Sequence, residues 1–194
     1  MSEGPVNAPA LAELCALLET PDQQLLPDAV GLGGRAVLYQ RLREGEALSL
    51  AAEVVPEVLC PDCREHRVRP QPLSGVPGRY RALCFECGEV EIPKEQVRLW
   101  QAHPGKVADW LHQALGLRGR HPLTELIPGV LWHLGELEIR RHRRSFFFGC
   151  RLDSDPVQAR AKLAELAAPG AEAVITTTEA ALLRGSPLAD CRVI

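Results

Sequence analysis

The chain lacks any apolar run approaching the roughly 20 residues that a membrane helix requires, although 46% of its 194 residues are apolar. Its first residues, MSEGPVNAPA, have neither the positive stretch nor the continuous apolar segment of a secretory signal. The net charge of −3 excludes a uniformly basic nucleic-acid binder. We therefore expect a cytoplasmic globular protein with no membrane partner, on which any positive surface is local.

Sequence motifs of catalysis are also missing. The chain contains no phosphate-binding P-loop motif, no nucleophile elbow, no H-E-x-x-H motif and no evident pair of carboxylates. Helix capping and a surface ion pair are sufficient explanations for the charged residues between positions 153 and 165. We therefore expect a protein without intrinsic catalysis.

Charge is distributed unevenly along the chain. Residues 1–59 contain nine acids and three arginines, whereas residues 98–151 contain nine Lys or Arg residues and four acids. Only three lysines occur, so almost all of the positive charge is arginine. The basic centre is where an anionic partner would be steered, and the acidic N-terminal region is a candidate docking face for a protein.

Four of the seven cysteines form a C-x2-C-x20-C-x2-C array made of Cys60, Cys63, Cys84 and Cys87. Each C-x2-C turn lets two thiolates converge on one cation, and two such turns complete a tetrahedron. Four thiolates leave no position for a catalytic water. The array therefore predicts a structural Zn²⁺ site.

Other uses of the cysteines are weaker alternatives. A disulfide framework is typical of secreted proteins, and a thioredoxin-like motif places one pair at the start of a helix. An iron–sulfur cluster also uses four cysteines, and the spacing leaves it open. His66 lies within the array and could replace a cysteine as ligand, but with four thiolates available we expect it to be a surface residue of the hairpin. The cysteines without spacing partners are expected to be small core residues: Cys15, Cys150 and Cys191.

The residues around the array predict a small β-sheet. Strands are predicted over 68–72 and 79–83, on either side of a turn-rich segment, and over 89–92. With its two cysteine turns, the segment 57–93 resembles a zinc ribbon. The resemblance implies a hairpin-based module that serves nucleic-acid machinery in many proteins and is purely structural in others. At Arg64, where such modules often have glycine, we expect strain in the turn.

The flanking regions predict an α+β fold. Hydrophobic periodicity predicts helices over residues 11–20, 34–43, 48–55, 94–102 and 106–115. Two apolar runs around an Arg-rich turn predict a β-hairpin over 130–152, followed by a helix and two strands that can complete one sheet. The predicted regions are helical residues 1–56, the ribbon 57–93, and an α/β region 94–194.

The hairpin has the most basic segment of the chain. Helices followed by a hairpin with an Arg-rich tip resemble, in outline, a winged helix, whose wing contacts the DNA backbone. The predicted phosphate contacts are Arg118, Arg120, Arg140, Arg141, Arg143 and Arg144. An ordinary solvated hairpin tip is the simpler alternative.

Together these features predict a zinc-ribbon protein that binds DNA or RNA as a regulatory or accessory factor. The alternative is a protein–protein adaptor, or a subunit of a multiprotein complex, in which zinc only stabilises the fold. In that case the acidic N-terminal region would bind the partner.

Overall fold

The computed structural model describes residues 8–28, 36–117, 121–139, 141–167, 171–189 and 192–193. Contacts divide the chain into two compact units, residues 1–12 with 23–102 and residues 13–22 with 103–194. Helix α1, Ala8–Leu18, contributes residues to both units. Each unit contains helices and strands, which confirms the predicted α+β class.

The first unit contains three small antiparallel sheets. Its strands are β1 Gln24–Leu25, β2 Leu48–Val54, β3 Val58–Leu59, β4 Arg67–Val68, β5 Gln71–Pro72, β6 Arg79–Cys84, β7 Gly88–Pro93 and β8 Arg98–Ala102. Their orders are β1-β8-β2, β3-β4 and β5-β6-β7. Helix α2, Ala36–Glu44, precedes β2. The predicted ribbon strands are confirmed, except that the first of them is split into β4 and β5.

Two segments predicted as helices are strands. The helix predicted over 48–55 is wrong because these residues form β2, and the helix predicted over 94–102 is wrong because a short 3-10 turn leads into β8. The two strands pair with each other, with Leu50 opposite Trp100. Trp100 is buried there. Pairing between segments distant in sequence outweighed their helical periodicity.

The second unit is built around a five-stranded mixed sheet. Its strands are β9 Thr124–Ile127, β10 Leu131–Ile139, β11 His142–Gly149, β12 Glu172–Thr176 and β13 Arg192–Val193. The order is β13-β12-β11-β10-β9. Its helices are α3 Pro104–Ala114, α4 Pro156–Leu166 and α5 Ala180–Leu183. Helix α4 connects the parallel strands β11 and β12, as parallel pairing requires a crossover.

The predicted hairpin is confirmed as β10 and β11, paired from Leu131 opposite Gly149 to Ile139 opposite His142. Strand β9 pairs with β10 only at residues 131–133, and β12 pairs with β11 only at 145–149. The base of the hairpin therefore lies inside a larger sheet. Within the described residues, 137–139 and 142–144 pair only with each other and form its tip.

A buried ion pair joins α4 to β12. Glu172 is 2% exposed, and the Arg160 Nη1 donates to its Oε1 at 2.6 Å. Removing the cation of a buried pair costs about 3–5 kcal/mol. Because the Arg160 side chain is 30% exposed, we expect Arg160→Leu to lower the free energy of unfolding by about 2 kcal/mol.

Urea denaturation of the full chain measures this loss, with Lys162→Leu as the control on the same helix. The Lys162 ammonium pairs with Glu165 at 2.9 Å on the exposed surface, where such a pair contributes about 0.5 kcal/mol or less. If Arg160→Leu and Lys162→Leu lower the free energy of unfolding by the same amount, burial of Glu172 adds nothing to the contribution of its ion pair with Arg160.

Candidate metal centre and basic hairpin

The four cysteines of the array lie together. Their Sγ atoms are all within 4.8 Å of one another, and the sulfurs of Cys63 and Cys84, which belong to different pairs, are 3.8 Å apart. A tetrahedron with metal–sulfur bonds of about 2.3 Å has edges of about 3.8 Å. The geometry is therefore compatible with a single ion bound by four cysteines.

Two tight turns position these sulfurs. In the first turn the Arg64 N–H donates to the Cys60 carbonyl at 3.0 Å, and the Cys60 N–H donates to the His66 carbonyl at 2.8 Å. The second turn connects β6 to β7 and ends at Gly88. Arg64 has φ +60° and Gly88 has φ +78°. Glycine adopts this conformation without cost, whereas a residue with a side chain is strained in it, so Gly88 suits its turn and the strain expected at Arg64 is present.

The two turns predict opposite effects of substitution. Arg64→Gly should raise the free energy of unfolding of the metal-bound protein by about 0.5–1 kcal/mol, and Gly88→Ala should lower it by about 1 kcal/mol. A Cβ at Gly88 would meet no atom within 4 Å, so the whole loss is conformational. Denaturant titration measures both, with Gly105→Ala in α3 as a control expected to cause no loss. Destabilisation by Arg64→Gly would contradict the assignment of strain.

The cysteines lie against a small apolar core. Cys60 and Cys84 are buried, Cys63 is half-buried and Cys87 is exposed. The other buried residues of this core are Val55, Val58, Val68, Tyr80, Ala82, Val90, Ile92 and Val97. Two of them, at positions 55 and 97, lie outside the segment 57–93. Such a small core is typical of modules that need a disulfide or a metal for stability.

The surroundings of the cluster shift the pKa values of two of its cysteines in opposite directions. Hydrogen bonds from the Glu65 backbone, and then from His66, lower the pKa of Cys63 to about 6. Desolvation, followed by the neighbouring thiols of the cluster, raises the pKa of Cys87 to about 12. Four thiolates packed this closely repel one another, so a nearby cation is needed for all four to ionise together.

His66 lies beside the cluster. Its Nδ1 is 3.7 Å from the Cys63 Sγ and 3.9 Å from the Glu86 Oε2. The thiol of Cys63, and then the carboxylate of Glu86, raise the pKa of the imidazole. The sequence favours a surface residue here over a metal ligand, whereas the side chain is half-buried and lies close to both Cys63 and Glu86. The spacing of three residues from Cys63 is the one signal that points to the contact.

The remaining cysteines do not join the centre. No disulfide joins the cysteines among the described residues. Cys150 is buried, as predicted for a core residue, and Cys15 is half-buried. Cys191 lies outside the described residues.

Three of the six predicted phosphate-contacting arginines belong to the described residues. Arg141 is exposed in the turn of the hairpin with φ +67°. Arg143 is exposed and forms an ion pair with Glu136. Arg144 is half-buried. The three that lie outside the described residues are Arg118, Arg120 and Arg140.

The register of the hairpin separates two of these arginines. Arg143 lies opposite Glu138, whereas Arg144 lies opposite Leu137. Successive residues of a strand point to opposite faces, so Arg143 shares a face with two acids and Arg144 shares the other with apolar residues. The structure therefore does not bring Arg143 and Arg144 into one patch.

No protein-family model, curated protein or solved structure matches the chain. Among the helices that the structure describes, none combines the length and apolarity needed to cross a bilayer. We therefore infer function from the chemistry of the two sites.

Proposed function

We propose that the four cysteines bind one structural Zn²⁺ ion and that the protein is a nucleic-acid-binding accessory or regulatory factor without catalytic activity. The convergence of four sulfur atoms carries the metal assignment. Soft thiolates select zinc, copper(I) or iron–sulfur clusters over magnesium and calcium. Cysteines used as metal ligands rather than in disulfides fit a reducing compartment such as the cytoplasm.

The sulfur separation favours one ion over a cluster. In a multi-iron cluster the cysteines are distributed over different irons, so their sulfurs stand farther apart than the ligands of one ion. The 3.8 Å between the Cys63 and Cys84 sulfurs matches the edge expected around one ion. Since four thiolates fill the tetrahedron, the ion stabilises the ribbon and takes no part in catalysis.

Support for nucleic-acid binding comes from the tip of the hairpin. Arg141 and His142 are exposed there, and the tip residues have no strand partner beyond each other among those described. Arg143 is 76% exposed in its ion pair with Glu136. The Glu136 side chain is only 22% exposed, so a phosphate would bind Arg143 on the solvent-facing side of its guanidinium, which has five N–H donors.

Binding of the full chain to labelled duplex DNA and to structured RNA, each at two salt concentrations, tests this function. With about two phosphate contacts, from Arg141 and Arg143, the affinity should fall about 12-fold between about 50 and 200 mM salt. Absence of binding to both nucleic acids at the lower concentration would refute the proposed function and leave the metal site intact.

A protein–protein adaptor is the second candidate. Two large apolar side chains of the ribbon are exposed, Leu83 by 79% and Phe85 by 93%. Exposed apolar surface is a mark of interaction sites, and the acidic N-terminal region adds a charged docking face. An adaptor would hold the ion and show no salt-dependent binding to DNA or RNA, so the same titration separates the two functions.

A further inference from the structure

The imidazole of His66 lies between the two cysteine turns. Its Nδ1 is 3.7 Å from the Sγ of Cys63, in the first turn. The same atom is 3.9 Å from the Oε2 of Glu86, in the second turn. The ring of Phe85 lies beside it, with centroids 6.5 Å apart. One ring nitrogen therefore faces an acceptor from each turn.

We propose that His66 is a positioning residue of the metal centre, whose Nδ1–H donates to the Cys63 sulfur while Glu86 orients the ring. The inference rests on the proposed function, since it requires an ion at the four cysteines. A donor on a thiolate sulfur withdraws part of its negative charge and fixes the direction of its lone pairs. The negative charge of Glu86, 3.9 Å from the same nitrogen, attracts the ring electrostatically and so couples the second turn to the first.

The geometry places His66 outside the set of ligands. The four cysteine sulfurs lie within 4.8 Å of one another. A second group of ligand atoms that are equally close together consists of Cys63, His66 and Glu86 and includes no other cysteine of the array. A ligand of the same ion would approach all of the other ligands at similar distances. Residues that hold ligands in this way typically change metal affinity 10- to 100-fold when mutated.

Zinc release from the full chain to a colorimetric chelator tests the proposal. His66→Phe keeps a ring and removes the donor, and should release zinc about 10-fold faster than the wild type. His66→Gln keeps an N–H donor, so its rate of zinc release should lie between the rates of the wild type and His66→Phe. Glu86→Gln should release zinc faster by a smaller factor, because it loosens the ring without removing the donor. His142→Phe replaces an exposed histidine of the hairpin and should leave the rate unchanged.

Substitution with Co²⁺ distinguishes a positioning residue from a ligand. The absorption of the tetrathiolate site should stay the same in His66→Phe. Equal release rates for His66→Phe and the wild type would overturn the proposal, as would a Co²⁺ spectrum of His66→Phe that has lost one ligand. A wild-type chain that binds neither Zn²⁺ nor Co²⁺ would instead refute the proposed metal site itself, which is a different result from either of these.

Discussion

Removing the ion with a strong chelator is expected to unfold the ribbon. A structural zinc contributes on the order of 10 kcal/mol of apparent folding free energy, as much as the whole stability of a typical domain, about 5–15 kcal/mol. The ribbon core is small, and two of the cysteines, Cys60 and Cys84, are themselves part of it. Without the ion, the four cysteines either remain thiolates that repel one another or become protonated thiols that nothing holds together.

Amide hydrogen exchange measures this unfolding strand by strand. Chelation should abolish protection in β6 and β7 and leave protection in β10 and β11, whose core contains no cysteine of the array. Cys84→Ser should have the same effect in the presence of zinc, whereas Cys15→Ser, at a half-buried position, should keep protection. Unchanged protection of β6 and β7 after complete removal of the ion would contradict the role of the metal.

Changing the charge of the hairpin tip is expected to abolish most nucleic-acid binding. The variant combines Arg141→Glu and Arg144→Glu with Arg143→Gln, because a glutamate at position 143 would face Glu136 and Glu138. In a plot of the logarithm of affinity against the logarithm of salt concentration, each phosphate contact contributes about 0.9 to the steepness of the slope. Loss of the contacts of Arg141 and Arg143 should reduce the slope by about 2 and lower the affinity at least about 10-fold at low salt.

Fluorescence anisotropy at several salt concentrations gives both quantities. Arg184→Glu is the matched control, since it reverses the charge of an exposed arginine outside the hairpin and should change the slope little. Circular dichroism verifies that the triple variant keeps its sheet. An unchanged affinity and slope in a folded triple variant would remove the hairpin from the binding site and favour the adaptor.

The cluster of four cysteines was predictable because the information that specifies it is local in the sequence. The spacing within each cysteine pair predicts a turn, and the alternation of apolar residues before and after the second pair predicts β6 and β7. Segments 48–54 and 98–102 were not predictable in this way, since what makes them strands is their pairing with each other. Periodicity within either segment does not report a partner that is about 50 residues away along the chain.

The same limit applies to the hairpin and to His66. The sequence predicts two strands and a basic tip, but the faces of Arg143 and Arg144 depend on a register that it does not contain. The contact of His66 with Glu86 depends on how the two cysteine turns approach each other. Charge counted along the chain therefore overstates the basic surface, because Glu136 and Glu138 lie on the Arg143 face.

Metal analysis of the full chain, purified under reducing conditions, tests the central claim most directly. Elemental analysis of the wild type beside the variant Cys84→Ser/Cys87→Ser should find one zinc ion per wild-type chain and almost none in the variant. A wild-type chain with no stoichiometric metal, or with several irons and sulfide, would contradict a single zinc ion held by these four cysteines.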